Sequence, residues 1–161
     1  MANFDEAVAL TLQHEGGYTS NSADSGGATN MGITHADADA AGLGDVRNLT
    51  VAQAEAYYRA HFWPAIYDSI ESQLVASKLF DLGVLFGTGE AVILLQQCLD
   101  YFNVVVDGKF GDVTLLAVNE DSELPLLAEY KQKVFAHIQV IVLAHPEDSR
   151  FETGWENRVM S

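Results

Sequence analysis

Basic residues are scarce in this chain of 161 residues, which has 8 Lys and Arg against 23 Asp and Glu. The formal net charge is −15, and the first Lys or Arg is Arg47. Nucleic-acid binding requires a basic surface, and anionic membranes attract basic segments. The composition therefore argues against nucleic acid and against an anionic membrane surface as partners.

Cysteine and long hydrophobic runs are also scarce. Cys98 is the only cysteine, which excludes an internal disulfide, and its apolar neighbours predict a buried thiol. No apolar run reaches the roughly 20 residues that span a membrane. The N-terminus carries Asp5 and Glu6 where a signal peptide has a basic start and an apolar segment. We therefore expect a monomer that is made in the cytoplasm without a signal peptide and does not insert into a membrane.

The apolar residues of the chain are numerous enough for one folded domain. Hydrophobic residues make up 48% of the sequence, which allows a sizeable core. Their spacing is mostly that of amphipathic helices, so we expect a mainly α fold. The predicted helices cover about residues 4–15, 35–41, 51–62, 74–86, 90–101, 112–118, 124–143 and 151–159.

Two of these helices begin with a capping-box pattern, in which a polar cap residue is followed three positions later by Glu or Gln. The pairs are Asn3 with Glu6, and Thr50 with Gln53.

The helix over residues 74–86 is apolar almost all round, which predicts that it lies at the centre of the core.

Residues 16–34 have a different character. They are rich in Gly, Ser, Asn, Asp and Thr, which predicts a small irregular β-hairpin region after the first helix. A weak boundary lies near Gly87 and Gly89, but a buried helix leads directly into it. We therefore expect one integrated domain over residues 1–161, with two sequence halves over 1–88 and 89–161.

Glu15 is placed where the first predicted helix ends in Gly16 and Gly17. A helix C-terminus carries partial negative charge and disfavours an ionised carboxylate, which suits a general acid that must hold its proton. No Lys or Arg precedes Arg47, so any cation that contacts Glu15 must come from a distant part of the chain.

Asp24 is a second acid close to Glu15 in the sequence, across a helix end and a polar hairpin. Glycoside hydrolysis uses two carboxyl groups on opposite sides of a cleft, one protonated and one ionised. Hydroxyls and loop amides around Asp24 favour its ionised form, and Thr29 is suited to orient a water. The alternative is that Asp24 is only a turn residue.

The remaining polar and aromatic residues provide weaker signals. Tyr18, Asn30 and Trp63 are candidate sugar contacts, although packing in the hairpin or the core is an equal alternative for each. The histidines lack zinc-ligand spacing and no His-Glu-x-x-His motif is present, so we expect no metal and no cofactor. We interpret His14 as structural, because sequence neighbours do not face each other on a helix.

Three segments of the first half resemble one enzyme family. They are His14-Glu15-Gly16-Gly17-Tyr18, Asp24-Ser25-Gly26-Gly27-Ala28-Thr29-Asn30-Met31-Gly32-Ile33-Thr34 and Ala54-Glu55-Ala56-Tyr57-Tyr58-Arg59. They are similar to the glycosyl hydrolase 108 family of N-acetylmuramidases, lysozyme-like enzymes of phages and bacteria, some described as secretion activators. The order Glu15, Asp24, Thr29 is also similar to that of T4-type phage lysozymes, although the gap between Asp and Thr is shorter here.

The second half resembles the peptidoglycan-binding region that follows the catalytic segment in this family. The matching positions are Phe80-Asp81, Gly87, Leu95-Gln96, Asp107-Gly108, Phe110-Gly111, Thr114, Gly154-Trp155, Asn157 and Arg158. The resemblance implies a catalytic half over 1–88 and a peptidoglycan-binding-like helical half over 89–161. One departure is Leu85, where the family usually has Asn.

The segment Asp107-Gly108-Lys109-Phe110-Gly111 allows two interpretations. It is either a glycan-facing loop or a tight turn that leads into a helix capped by Asp112. We favour the turn, because Asp-Gly is a strong turn signal and Asp is a good helix cap.

The resemblance also suggests a partner for Glu15. In phage lysozymes a similar late segment carries an Arg near the catalytic acid, and Gly154-Trp155-Glu156-Asn157-Arg158 is that segment here. We therefore predict that Arg158 approaches Glu15 and modulates its acidity. The alternative is a surface Arg near the end of the last helix.

The resemblance as a whole implies a lysozyme-like fold and cleavage of the β-1,4 bond between N-acetylmuramic acid and N-acetylglucosamine, with Glu15 as general acid. It implies peptidoglycan glycan strands as substrate, and action on the cell wall or periplasm after release by a holin or secretion machinery. A lytic transglycosylase and a non-catalytic module that binds the wall or assists secretion are the alternatives.

Overall fold

The computed structural model of the protein describes residues 1–20 and 28–161. The described residues form a mainly helical fold with one small sheet, which confirms the predicted class. The helices are α1 (Phe4–Glu15), α2 (His35–Ala40), α3 (Val51–Phe62), α4 (Gln73–Phe86), α5 (Thr88–Gln96), α6 (Asp112–Glu120), α7 (Glu123–Ala144) and α8 (Ser149–Met160). Among them, none combines the length and the apolar character that crossing a membrane would require.

The capping prediction is confirmed in full for α3 and in part for α1. Thr50 and Gln53 form a reciprocal capping box at the start of α3. Asn3 caps α1 through its side chain, but its backbone N–H donates to Gln73 Oε1 at 2.6 Å. The predicted role of Glu6 in this box is therefore wrong, because a residue from the start of α4 takes its place.

Helix α4 lies at the centre of the core, as predicted. Its residues from Val75 to Gly83 are all buried, and α1, α3, α5 and α7 contact it. Leu74, at its first turn, is an exception and is half exposed. Trp63 is buried beside α4 and its indole N–H donates to Asp68 Oδ1 at 2.8 Å, so the packing interpretation of Trp63 is the correct one.

The hairpin region after α1 contains a three-stranded antiparallel sheet of β1 (Thr19–Ser20), β2 (Ala28–Asn30) and β3 (Ile33–Thr34), in that order. Strands β2 and β3 are joined by Met31 and Gly32, which have φ values of 50° and 75°. Positive φ at both central residues is the geometry of a tight type I′ hairpin turn. This turn brings the hairpin against the end of α1.

In the second half, α5 ends at Gln96 and is followed by a 3₁₀ turn at Asp100–Phe102, so the predicted helix over 90–101 is too long. Gly111 is the N-terminal cap of α6, and Asp112 is its first residue without a capping bond. The prediction that Asp112 caps this helix is therefore wrong.

Gln96 explains the geometry of the loop before α6. Its side chain is buried, its amide nitrogen lies 3.1 Å from Asp107 Oδ1, and its amide oxygen accepts the N–H groups of Asp107 and Gly108 at 3.0 Å. A buried glutamine therefore closes the turn, which supports the turn interpretation of residues 107–111. Cys98 on the same segment is buried, and burial raises the pKa of its thiol to about 12.

The two sequence halves contact each other along α4. Helix α7 packs against α4 and α5, and the hydroxyl of Tyr130 in α7 donates to the Ala91 carbonyl at 2.8 Å. From α8, Arg158 reaches back to α1 and α4. The C-terminal end of α1, in the first half, is therefore contacted by a residue of the last helix.

Candidate active site

A cavity of about 350 Å³ opens at the C-terminal end of α1. Its lining residues come from α1, the hairpin turn, α2, α3, α4 and α8, and they are Glu15, Gly32, Asp37, Tyr57, Tyr58, Phe62, Val84, Leu85 and Arg158. We call it the Glu15 cavity. A larger cavity, about 680 Å³, lies at the start of α1 and is lined by Asp5, Glu55 and the Arg59–Asp68 ion pair, but none of the candidate residues named from the sequence lines it. We therefore place the candidate site in the Glu15 cavity.

Arg158 is the cation that contacts Glu15. Its Nη1 donates to Glu15 Oε1 at 2.7 Å, although the two residues are 143 positions apart in the sequence. Side-chain exposure is 10% for Arg158 and 18% for Glu15, so the pair is mostly shielded from water. The predicted approach of Arg158 to Glu15 is present in the structure, and its effect on the acidity of Glu15 stays a prediction.

Asp81 of α4 holds the other edge of the same guanidinium. The Nε of Arg158 donates to both carboxylate oxygens of Asp81 at 3.0 and 3.1 Å, and Nη2 donates to the Asp81 carbonyl at 3.2 Å. Burial lowers the pKa of the Arg158 guanidinium, but its interactions with Asp81 and Glu15 outweigh this and raise it above its usual value. Arg158 is therefore a permanent cation between two carboxylates.

The hairpin turn closes one side of the Glu15 cavity. A Cβ at Gly32 would overlap Glu15 Oε2 and the Tyr58 hydroxyl, so a larger residue would displace these side chains from the cavity. The Tyr58 hydroxyl donates to the Met31 carbonyl at 2.8 Å. Burial, and then the charge of Glu15, raise the pKa of Tyr58, so this hydroxyl remains a neutral donor.

Among the residues that the structure describes, the other predicted site residues do not line the Glu15 cavity. Thr29 pairs with Thr19 across β1 and β2, with 2.9 Å between their hydroxyl oxygens. Asn30 is buried and its Nδ2 donates to the Val46 carbonyl at 3.0 Å, which argues against a direct sugar contact. Tyr18 is half exposed and free to contact a ligand. Asp24 lies outside the described residues.

Asp37 is a carboxylate of the site that the sequence interpretation missed. It lines the Glu15 cavity from α2. The Thr34 hydroxyl donates to Asp37 Oδ2 at 2.7 Å, and the backbone N–H of Asp37 donates to the Thr34 hydroxyl oxygen at 3.1 Å. The available signal was the spacing Thr34-x-x-Asp37 at a helix start, which resembles a capping box and does not by itself indicate a ligand site.

Two further sequence interpretations can be placed in this geometry. Leu85, where the resembling family usually has Asn, lines the Glu15 cavity and contributes an apolar wall. His14 lies 3.5 Å from Asp81 through Nδ1, which agrees with a structural role. The described residues contain no group of His, Cys, Asp and Glu that could hold a metal ion.

Comparison with known proteins identifies the two halves. The model of the family described as glycosyl hydrolase 108 matches residues 8–87, and one described as a predicted peptidoglycan domain matches residues 90–160. The structure of Brucella abortus SagA is 30% identical, with a TM-score of 0.78, and the match covers 98% of this chain and 89% of that one. No curated protein matches the chain significantly. The chain belongs to the glycosyl hydrolase 108 family, and it is a glycoside hydrolase directed at peptidoglycan.

Proposed function

We propose that the protein is an N-acetylmuramidase that hydrolyses the β-1,4 bond between N-acetylmuramic acid and N-acetylglucosamine, with Glu15 as the general acid. The observation that carries this proposal is the position of Glu15, which lines an open cavity at a helix end with one carboxylate oxygen held by Arg158. In this mechanism Oε2 carries the proton that passes to the glycosidic oxygen.

In this mechanism Arg158 stabilises the carboxylate that Glu15 becomes when it gives up its proton. When Glu15 gives up its proton, the carboxylate that forms is already 2.7 Å from the guanidinium. A fixed cation stabilises this product of proton transfer more than the neutral acid, so it favours the transition state in a shielded site. Asp81 shares the same cation and limits how strongly Arg158 favours the ionised form of Glu15 before the reaction.

The second carboxylate of the mechanism has two candidates. Asp24, with Thr29 to orient a water, is the assignment that follows from the sequence. Asp37 is an alternative that follows from its place in the lining of the Glu15 cavity. Asp24→Asn and Asp37→Asn distinguish them, because the essential group should lose activity by a factor of about 100 or more, while the other variant retains most of it.

The test of the proposal is mass analysis of peptidoglycan digested by the wild type and by Glu15→Gln. The variant has nearly the same shape but cannot donate a proton as an acid, so we expect a loss of at least about 100-fold. Glu6→Gln is the matched control, because Glu6 is an exposed acid on the same helix. A Glu15→Gln protein that digests walls at the wild-type rate would overturn the mechanism.

The products decide between the alternatives. Hydrolysis leaves reducing N-acetylmuramic acid ends, whereas a lytic transglycosylase leaves 1,6-anhydro ends. If the wild type binds walls and releases neither product, the protein is a non-catalytic module.

We further propose that it acts as a monomer in phage lysis or wall remodelling, after a holin or secretion machinery gives it access to the wall. Cells that express it should then lyse only after their membrane is permeabilised.

A further inference from the structure

Asp81 is a charged residue in the most buried segment of the fold. It is 4% exposed and lies in the run from Val75 to Gly83, which is buried throughout. A buried carboxylate is costly unless it is paired and hydrogen-bonded, so such a residue needs a specific partner. Asp81 is not part of the lining of the Glu15 cavity, so a substrate there does not touch it.

The contacts of Asp81 fix the orientation of one guanidinium. Arg158 directs Nε and Nη2 to Asp81, while Nη1 is 2.7 Å from Glu15. Thr11 of α1 donates its hydroxyl to Asp81 Oδ1 at 2.9 Å, so the carboxylate is itself held in place. Because guanidinium is planar with donors in a rigid fork, fixing one edge determines where the remaining nitrogen points.

We propose that Asp81 is a positioning residue, which holds the guanidinium of Arg158 against Glu15 and sets the pH range over which Glu15 keeps its proton. This inference rests on the proposed role of Glu15 as general acid. Asp81 acts in two ways: it fixes the geometry of Arg158, and its negative charge offsets part of the positive charge that faces Glu15.

Other titratable groups surround this cluster, and among them Asp37 of α2 lines the Glu15 cavity as an exposed carboxylate. His14 of α1 is 3.5 Å from Asp81, and Lys78 of α4 donates to the Arg158 carbonyl at 2.9 Å. Burial lowers the pKa of Lys78 to about 8, with Asp81 opposing the change. Tyr58 of α3 faces Glu15 and is neutral. An imidazole changes charge near neutral pH, so the experiment needs a His14→Gln background.

The experiment compares the pH profiles of kcat/KM for the wild type, Asp81→Asn and Arg158→Lys. The alkaline limb reports ionisation of the general acid. Asp81→Asn keeps the shape but removes the charge that offsets Arg158, so Glu15 should lose its proton earlier and the limb should move down by about one pH unit. Activity at pH 8 should fall by about tenfold with little change in KM.

Arg158→Lys should move the limb in the opposite direction. The introduced ammonium is a single nitrogen and cannot reproduce the fork that places separate nitrogens on Asp81 and Glu15. The buried Asp81 is the carboxylate that most requires the cation. Glu15 then loses its cation and keeps its proton to a higher pH. A loss that came only from damaged structure would lower activity in both variants without opposite shifts, and circular dichroism checks that each variant is folded.

The outcomes separate this inference from the proposed function. If Glu15→Gln is inactive while both variants keep the wild-type alkaline limb, the positioning role of Asp81 is wrong and the general acid stands. If Glu15→Gln remains active, the general-acid role of Glu15 and the positioning role of Asp81 are both wrong. A shift in Asp81→Asn that disappears in the His14→Gln background would assign the effect to His14 and overturn the inference. If Asp81→Asn does not fold, Arg158→Lys provides the test by itself. An alkaline limb that does not shift in Arg158→Lys would then overturn the positioning role of Asp81.

Discussion

Gly32 is a residue at which the turn between β2 and β3 closely approaches the end of α1. Its φ of +75° is a conformation that favours glycine, and a Cβ there would overlap Glu15 Oε2 and the Tyr58 hydroxyl. Both the backbone shape and the lack of a side chain are therefore required. Glu15 can occupy its position at the cavity because Gly32 has no Cβ.

Gly32→Ala should reduce activity by at least about tenfold and lower the free energy of unfolding by about 1–2 kcal/mol, because the methyl group displaces Glu15 and strains the turn. Gly42→Ala is the control, since Gly42 has a φ of +68° and nothing within 4 Å of its Cβ position. It should show the backbone strain without the loss of activity. Equal activity in the two variants would contradict the steric explanation, and the assay is peptidoglycan hydrolysis with denaturant unfolding of each protein.

At the scale of elements, α5 and the loop before α6 depend on one buried amide. Gln96 bonds to the backbone of Asp107, Gly108 and Lys109, and to the hydroxyl of Thr114. Removing this buried amide would leave the part-buried N–H groups of Asp107 and Gly108 without their acceptor, which is more costly than the loss of an exposed hydrogen bond.

Gln96→Ala should therefore lower the free energy of unfolding by about 2–4 kcal/mol. Gln97→Ala changes the neighbouring exposed glutamine and should cost less than about 0.5 kcal/mol. The measurement is equilibrium unfolding in denaturant. A similar cost for both variants would contradict the claim that the Gln96 amide, rather than α5 itself, stabilises this loop.

Lys78 of α4, whose buried amine donates to the Arg158 carbonyl of α8, should affect how the free energy of unfolding depends on pH. Lys78 is buried, and its pKa falls from 10.5 to about 8 on folding. Between these values Lys78 binds its proton in the unfolded chain and has lost it in the folded chain, so this residue makes the free energy of unfolding rise with pH. The penalty for the charged amine is fully present below pH 8 and is relieved as the pH rises.

Lys78→Met should remove the Lys78 contribution, which is about 2 kcal/mol between pH 8 and 10. It is measured as the difference between the wild type and the variant, because the buried Cys98 thiol, whose pKa rises to about 12 on folding, lowers the free energy of unfolding over the same range. The Arg158 carbonyl retains a donor, because the Ser161 hydroxyl lies 2.8 Å away. Unfolding is measured below pH 10, since burial raises the pKa of Tyr58 and Tyr67 and the fold loses stability when the unfolded tyrosines ionise. Lys109→Met, which removes an amine from an exposed residue of the loop before α6, should retain the wild-type pH dependence. An identical pH dependence in the wild type and Lys78→Met would refute the assignment.

At the scale of the whole molecule, charge should control how the protein meets its substrate. The net charge of −15 opposes the carboxylates of peptidoglycan stems. Salt at ~0.1 M screens charges beyond about 10 Å. We therefore expect activity on intact walls to rise with salt over the low range, measured by the clearing of purified peptidoglycan. An uncharged glycan fragment should show little change over the same range, and a steady fall in wall clearing from the lowest salt would contradict the prediction.

Much of the fold could be predicted because its causes are local. The cap at Thr50, the end of α1 at Gly16 and the buried face of α4 each depend on residues within one or two turns. The error at Glu6 arose where a local pattern met a tertiary alternative, since Gln73 accepts the bond from the Asn3 N–H. The error at Asp112 was a local shift of one residue, since Gly111 is the cap of α6. The candidate site was predicted less completely, because Asp37 and Asp81 become significant only through their neighbours.

The sequence by itself determined the helical class, the hairpin after α1 and an acid at a helix end with no nearby Lys or Arg. Periodicity, capping residues and glycines act over a few positions, so these features are present in the order of the residues. Only the tertiary structure decided which cation would meet Glu15 and what would hold it. Arg158 lies 143 positions from Glu15 and 77 from Asp81, and such contacts depend on how α1, α4 and α8 pack against one another.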